Sequence, residues 1–444
     1  MTTATATAAK TAKQANTDSS ELVEELRSWL TENWDADLTV AQWWERLGLA
    51  GWAAPTLPTT AFGRGLTRND GVLVGNEIAI FGALGAPTGL GMLLAAPTIA
   101  MHGNQDQIER YVRPIVTGQA AWCQMFSEPG AGSDLAGLTT KAVQDGDEWF
   151  VNGQKVWTSS GHLADMGMLI ARTNPEAPKH QGITYFACDM KQPGIDIRPL
   201  KEMTGRALFN EVFLTDARVE GNSMIGDLNN GWAVANTTLN FERAGLGSGG
   251  GHGGSTAIAG QIAGDLHKRA GDFIGTRRGG GGGAQFAGAV GMLTKLAQAT
   301  GAAADPTVRQ ELMKLHTLQE IGRYNNLRVK AERAKGRDIP GMPNISKLSM
   351  SDMMRLQRDL GMRLAGPSGT LHSYDSAGRE VLNAATGNPM LALITEMALF
   401  AQAPPIYGGT DQVQKNILGE RVLGLPKDAG IDAKSPFSQL PKNT

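Results

Sequence analysis

Met125-Phe-Ser-Glu-Pro-Gly-Ala-Gly-Ser-Asp134 is the stretch that decides how this chain is read. Its second half places two glycines, a proline and small hydroxyl or acidic residues around a sharp turn. Glycine lets backbone amides approach a ligand closely because no side chain blocks them. Such a turn alone indicates anion or cofactor binding only in general terms. Two further segments narrow it. Lys155-Val-Trp-Thr-Ser-Ser-Gly161 follows, and Ile406-Tyr-Gly-Gly-Thr-Asp-Gln412 leads into Asn416-Ile-Leu-Gly-Glu-Arg-Val-Leu-Gly-Leu-Pro426 near the end.

The bulk properties set the frame. A chain of 444 residues is too long for one small core, and two or three domains are expected. Hydrophobic residues make up 41% and charged residues 19%, an ordinary soluble balance. The net charge of −2 gives no bulk attraction to nucleic acid or an anionic membrane. The 2 cysteines, Cys123 and Cys188, exclude a disulfide framework and offer no zinc motif, so no metal is expected. A reduced cytoplasm is the default compartment. Residues 1–19 lack an apolar core and read as a disordered tail rather than a signal sequence.

Along the chain the texture changes twice. Residues 20–118 read as helical, with Leu22, Leu26 and Leu30 at helical spacing and Trp43, Trp44 and Leu47 continuing an amphipathic pattern. The stretch 80–102 reads as buried helix. Residues 119–225 read as β: Asn152-Gly153 within Trp149–Trp157 is a hairpin signal, and Gly182–Met190 and Phe209–Asp216 are strand-like. Residues 226–430 return to helix, with Asp305 as N-cap before Pro306 and further helices at 344–364, 374–384 and 388–401. Residues 431–444 read as a tail. The pattern alone gives an α+β chain of several domains.

Gly245-Leu-Gly-Ser-Gly-Gly250 matches the dinucleotide fingerprint G-x-G-x-x-G. The match is rejected, because that fingerprint follows a strand and the preceding residues 231–243 read helical. So many glycines in a helical context indicate that space matters there more than helix stability. The glycines 279–283 read as a linker.

The three quoted segments, in this order, resemble the acyl-CoA dehydrogenase family of flavoproteins, from about residue 20 to 430. The resemblance implies an N-terminal helical domain, a middle β-barrel and a C-terminal four-helix bundle. It also implies FAD as cofactor and dehydrogenation of an acyl-CoA thioester to the trans-2-enoyl-CoA. Gln124, Phe126, Ser127, Gly132, Ser133, Trp157 and Ser159 match flavin-facing positions, with Trp157 against the isoalloxazine. Thr410 and Gln412 match the C-terminal flavin contacts, and Gly366 and Gly369 the loop that grips the flavin of a neighbouring subunit. Ser133, Arg243, Tyr407 and Gly409 match positions facing the substrate.

The resemblance departs at the catalytic base. The commoner site, the Glu of a Tyr-Glu-Gly-Thr sequence, is here Gly408 within Tyr407–Thr410. The rarer site, the Glu of a Glu-Arg pair on the helix after the β domain, is filled by Glu242. Glu242 is therefore the expected base, and the Gly408 N–H is implied as a donor to the thioester carbonyl. The glycines after Glu242 suggest a bulky or branched acyl group, similar to actinobacterial members acting on steroids or other large chains. An electron-transfer flavoprotein and a homotetramer or α2β2 heterotetramer are implied as partners. Arg363 stands where the family has glutamine, and Arg277 and Arg278 are the candidates for a flavin-contacting arginine. Two alternatives stay open: a non-catalytic or half-site subunit of a hetero-oligomer, and a flavin oxidase or monooxygenase of the same superfamily.

Overall fold

The computed structural model describes residues 19–247, 255–275, 288–333, 335, 337–427 and 434–441. Residues 1–18, 248–254, 276–287, 334, 336, 428–433 and 442–444, and with them Arg277, Arg278 and the glycines 279–283, lie outside the described residues.

The first helices follow the apolar spacing. Helix α1 (19–33) buries Leu26 and Leu30 completely, and α2 (Val40–Leu49) buries Trp43, Trp44 and Leu47. A Thr39–Gln42 capping box starts α2, and a Thr67–Asp70 box starts α3 (Arg68–Phe81). The continuous helix expected over 80–102 does not form. Gly82 takes φ +85° and ends α3. A loop follows, whose Leu84 and Gly85 carbonyls accept from Trp43 Nε1 at 2.7 Å and Trp44 Nε1 at 2.9 Å.

Helix resumes as a π-turn, Gly91–Ala95, that runs into α4 (Ala96–His102). The same device recurs downstream: α5 (Gln105–Gln107), a π-turn Ile108–Val112, then α6 (Arg113–Val116). In both places a proline, Pro97 or Pro114, sits just inside the following helix. Proline lacks the N–H that would close an ordinary turn, and the ladder widens by one residue before it.

The middle region is a seven-stranded sheet in the order β1-β4-β2-β3-β7-β6, with β5 also on β4. Its strands are β1 (Trp122–Met125), β2 (Lys141–Asp145), β3 (Glu148–Ser159), β4 (Met166–Arg172), β5 (Ile183–Asp189), β6 (Ile195–Leu200) and β7 (Phe209–Glu220). Alternation sorts its side chains into two cores. Trp122, Phe126, Met168, Ile170 and Tyr185 join the helical core, while Cys123, Met125, Leu169, Phe186 and Cys188 fill the interior of the curled sheet.

The Asn-Gly hairpin expected within β3 is absent. The hairpin turns at Gly146 (φ +59°) between β2 and β3, and β3 runs on through Asn152-Gly153 with a register shift there. Asn152 uses its side chain across the sheet: Nδ2 donates to Asp216 Oδ1 at 2.8 Å and Oδ1 accepts from the Asp216 N–H at 3.0 Å. Glycine is needed at 153 because a Cβ there would lie 2.3 Å from Thr140 Oγ1 and 2.7 Å from its Cα.

The remaining helices are α7 (Gly231–Gly247), α8 (Ala289–Ala299), α9 (Pro306–Arg333), α10 (Met342–Ala365), α11 (Ser376–Thr386), α12 (Leu391–Phe400) and α13 (Asp411–Ile417). A third core centred on Leu293, Leu315, Leu360 and Met397 unites α8, α9, α10 and α12. Asp305 accepts from the Thr307 N–H at the head of α9, as its position before Pro306 predicts.

Two segments return to earlier domains. Residues 255–275 are largely non-helical and lie on the first helices: the Val40 N–H donates to Lys268 O (2.8 Å) and the Ala270 N–H to Leu38 O (2.8 Å). Residues 434–441 return to the β domain, with Phe437 N–H on Ala177 O (3.0 Å) and Ser438 N–H on Pro175 O (2.8 Å).

Gly153→Ala should destabilise the sheet by about 1–3 kcal/mol, because the new methyl must displace Thr140 backbone. Gly146→Asn, in an open turn whose positive φ asparagine tolerates, should cost far less. Thermal denaturation of the two variants measures the difference.

Candidate functional site

The glycine-rich turn is held from below by a buried ion pair. Lys155, fully buried on β3, donates Nζ to Glu128 Oε1 at 2.9 Å and to Phe126 O at 3.1 Å. Glu128 also accepts from the Thr139 N–H (2.7 Å), Thr139 Oγ1 (2.9 Å) and the Thr140 N–H (2.9 Å). The Val156 N–H on Ser127 O at 2.9 Å completes the attachment. Burial by itself drives the Glu128 carboxyl upward. The Lys155 ammonium and the hydrogen bonds outweigh it and hold the carboxyl at about 2. The Lys155 ammonium is pushed down by burial, against the pull of Glu128.

A second tie runs outward. Arg172 donates to Ala136 O (2.6 Å) and Lys179 O (2.6 Å), and its guanidinium stacks 3.7 Å from the Phe437 ring. Lys179 Nζ reaches Asp134 at 3.0 Å. Between these ties Gly132 and Ser133 are exposed, and a Cβ on Gly132 would meet nothing within 4 Å. The turn is thus rigid at its base and open at its tip.

Trp157 sits at a second register shift in β3, between Lys155 and Thr158. Its φ is +61°, and the residue is 60% exposed, with its ring edge-on to Phe209 at 5.9 Å. A tryptophan in the left-handed region costs about 1–3 kcal/mol and collects at ligand sites. Together with the open tip at Gly132, this strained, unburied indole near Ser159 fits a large planar ligand stacked there.

Glu242 lies on α7, whose position is fixed on three sides. At its start, a Cβ on Gly231 would lie 2.5 Å from the Thr184 carbonyl carbon and the Tyr185 nitrogen of β5. Further along, Thr238 Oγ1 meets Thr98 Oγ1 of α4 at 3.0 Å and Tyr185 OH at 3.4 Å, and Thr237 Oγ1 meets His102 Nε2 at 2.8 Å. Glu242 follows Thr238 by one turn on the same face. Its Oε2 accepts from Gln124 Nε2 of β1 at 3.4 Å. Burial pushes the Glu242 carboxyl up, with Gln124 and then Arg243 opposing. Arg243 turns its guanidinium to Asn240 Oδ1 at 2.5 Å. Burial pushes it down, and Arg421 is near enough to repel it.

The C-terminal set is built separately. Gly408 (φ +62°) and Gly409 (φ +82°) form a turn whose carbonyls accept from Gln414 Nε2 at 2.9 and 3.2 Å. Gln414 is fixed in turn by Asn344 Nδ2 at 2.7 Å. Asp411 is buried against Lys347 (3.1 Å), Ser351 (2.8 Å) and Arg355. Thr410 caps α13 by accepting from the Val413 N–H, Gln412 is exposed, and the Tyr407 hydroxyl is pushed up to about 12 by burial. Gly366 and Gly369 form the turn after α10, where a Cβ on Gly369 would lie 3.0 Å from Met362 Cε. Arg363, where the resemblance has glutamine, is engaged with Asp305 and Glu311, each at 2.9 Å.

The structure therefore brings Gln124 to Glu242, and ties Phe126 and Ser127 to the strand that presents Trp157. The sequence reading left Glu128, Lys155, Arg172, Asp411 and Gln414 without roles. A lysine between the motif's valine and the strand's glycine, one motif away from a glutamate, is a weak local signal for the first pair.

The comparisons with known proteins agree with this architecture. Residues 15–119, 123–217 and 282–423 match the N-terminal, middle and C-terminal domain models of acyl-CoA dehydrogenase. The chain belongs to the acyl-CoA dehydrogenase family. It is 32% identical to the acyl-CoA dehydrogenase IpdE1 of Mycobacterium tuberculosis, over 93% of this chain and 99% of that protein. It is 36% identical to FadE34 of the same organism over 85% of this chain but only 44% of that protein. The solved ChsE4-ChsE5 complex of Mycobacterium tuberculosis superposes with a TM-score of 0.65 at 26% identity, covering 92% of this chain and 98% of that one. The chain is accordingly a flavoprotein oxidoreductase that uses FAD, and its fold has the three domains that the resemblance implies. Glu242 falls between the matched segments. Among the described residues no helix is long and apolar enough to cross a membrane.

The low Glu128 carboxyl gives a stability prediction. A group depressed below its ordinary value of 4.5 stabilises the fold above that value and loses the contribution as pH falls toward about 2. Urea midpoints of the wild type should fall steeply from about pH 5 downward. The pair-removing variant Glu128→Gln/Lys155→Met should show a flatter profile, whereas Glu128→Gln alone, leaving a buried cation, should cost about 3–5 kcal/mol near neutrality.

Proposed function

We propose that this chain dehydrogenates an acyl-CoA thioester carrying a bulky or branched acyl group to its trans-2-enoyl-CoA, with Glu242 as the base that takes the α-proton. One observation carries the assignment. The carboxyl of Glu242 is partly shielded from water beside Gln124 on a helix fixed to the sheet, while the Tyr407–Gly409 turn presents no carboxylate.

A thioester α-proton is far less acidic than a carboxylic acid, so the base must be shielded and its conjugate acid made weaker. Burial on α7 does both. The Gly408 N–H is the proposed donor to the thioester carbonyl, where it would stabilise the negative charge that develops as the proton leaves. The turn that carries it is fixed by Gln414. Trp157, Phe126, Ser127, Gly132, Ser133 and Ser159 would hold the flavin. Thr410, Gln412 and the Gly366–Gly369 turn are assigned to its other contacts. FAD supplies the acceptor for the hydride that leaves the β-carbon. Ser133, Arg243, Tyr407 and Gly409 are assigned to the substrate.

The acyl class rests on the sequence after the base. Ala244, Gly245 and Gly247 follow Glu242. Small residues there favour a large, steroid-sized acyl group over a straight short chain. An electron-transfer flavoprotein is the proposed electron acceptor.

A half-site reading has specific support. A structurally similar protein is a complex of two chains, ChsE4 and ChsE5, and this chain matches only 44% of FadE34. An α2β2 assembly with a related partner is the corresponding proposal.

Glu242→Gln should lower turnover of a steroid-sized acyl-CoA by about 10²–10⁴-fold while leaving the visible flavin spectrum intact. Retained turnover would move the base elsewhere. The spectrum of the chain purified alone separates the assemblies. About one FAD per chain supports a self-sufficient oligomer, and a folded, colourless protein supports the paired one.

A further inference from the structure

Gln124 matches a flavin-facing position by motif, yet its amide is directed at Glu242. We propose that Gln124 is a positioning residue for the base, its Nε2 holding the Glu242 carboxylate in place and favouring its charged form. This rests on the reading of Glu242 as the proton acceptor.

The geometry follows from two rigid elements. Gln124 lies mid-strand in β1, where its neighbours Cys123 and Met125 point to the sheet interior, and it is paired in register with Met168 of β4. Its side chain must therefore face the helices, together with Trp122 and Phe126. Glu242 is delivered to the same place by α7, one turn beyond the Thr98–Thr238–Tyr185 contacts. Neither partner is on a loop.

The chemistry favours an amide at this point. A carboxylate shielded from water without a donor is biased toward the neutral acid, which cannot accept a proton. A cation at the same distance would hold it charged but make it a weak base, as Lys155 does to Glu128. An amide donates one hydrogen bond, carries no charge and does not titrate.

Among the described residues, the other groups around α7 leave this role to Gln124. Arg243, on the same helix, opposes the effect of burial less than Gln124 does and has its guanidinium on Asn240. Arg421 acts on Arg243. His102 of α4 and Tyr185 of β5 meet Thr237 and Thr238 instead. On α10, Lys347 and Arg355 are committed to Asp411. The π-turn Gly91–Ala95 has no titratable side chain.

The test is the pH dependence of kcat/KM, measured on the FAD-loaded enzyme in whichever assembly it forms, for wild type, Gln124→Met and Gln124→Glu. Both substitutions keep the volume. Loss of the donor raises the pKa of the base, so the acidic limb of Gln124→Met should move to higher pH by about one unit. Gln124→Glu places a second carboxyl beside the first, and its limb should move further in the same direction. FAD content and the visible spectrum should match wild type in at least the Glu variant, which preserves side-chain shape. A fall in kcat in both variants with the acidic limb unmoved would overturn the proposal and make Gln124 a packing or flavin contact. Failure of the underlying reading is separate, and shows as turnover surviving Glu242→Gln.

Discussion

The Lys155–Glu128 pair is the interaction on which the β-domain half of the site depends. Two charges lie fully or almost fully buried at 2.9 Å, and removing either would leave the other stranded in a medium that solvates it poorly. The ammonium and three further donors converge on one carboxylate. They join β3, the turn after β1 and the entry to β2 at a single point. An apolar pair could fill the same volume, but it could not fix where each backbone segment enters. The open tip at Gly132–Ser133 and the strained Trp157 are tolerable only because this base does not move. Arg172, with its carbonyl acceptors and its stack on Phe437, extends the same logic to residues 434–441.

The helix side is built by exclusion of volume rather than by charge. Gly231 lets α7 begin in contact with β5 backbone, closer than any side chain would permit. The Thr98–Thr238–Tyr185 contacts then fix its rotation, since a helix turned by one residue would lose both partners. Beyond Glu242 the sequence turns to glycine, the residue with the lowest helix propensity after proline. The segment 255–275 then returns to the first helices, where its backbone hydrogen bonds to residues 38–41 cover the edge of the helical core.

Much of this was legible in the sequence. Leucine and tryptophan spacing gave the first helices, the Asp305-Pro306 start gave α9, and the motif at 125–134 gave the family. The failures share a cause. Asn152-Gly153 has the composition of a hairpin turn, but the glycine answers to Thr140, a neighbour distant in sequence, and the asparagine to Asp216. The stretch 80–102 is apolar enough for helix, yet two indole N–H groups of α2 claim its carbonyls and Gly82 breaks it. Glu128 and Lys155 are separated by the loop that they fix, so nothing local marks them as a pair. Tertiary contacts decided each case, and a linear pattern cannot register them.

Two glutamates show how one side chain is set to opposite ends by its surroundings. Glu128 is buried and Glu242 is partly shielded from water, and shielding by itself favours the neutral acid. At Glu128 a cation and a ring of short hydrogen bonds reverse that preference completely, and the carboxylate is held at about 2, too weak a base to take a proton. At Glu242 the opposition is one long amide contact and an arginine turned elsewhere, and burial prevails. A structural carboxylate needs many strong donors, since its task is never to change charge. A base needs few and weak ones, since its charge must be lost in one half of the cycle and recovered in the other. Among the described residues, the few donors around Glu242 separate it from Glu128 and suit the role of base proposed for it. Gly408, in a turn bound through its carbonyls to Gln414, carries no side chain.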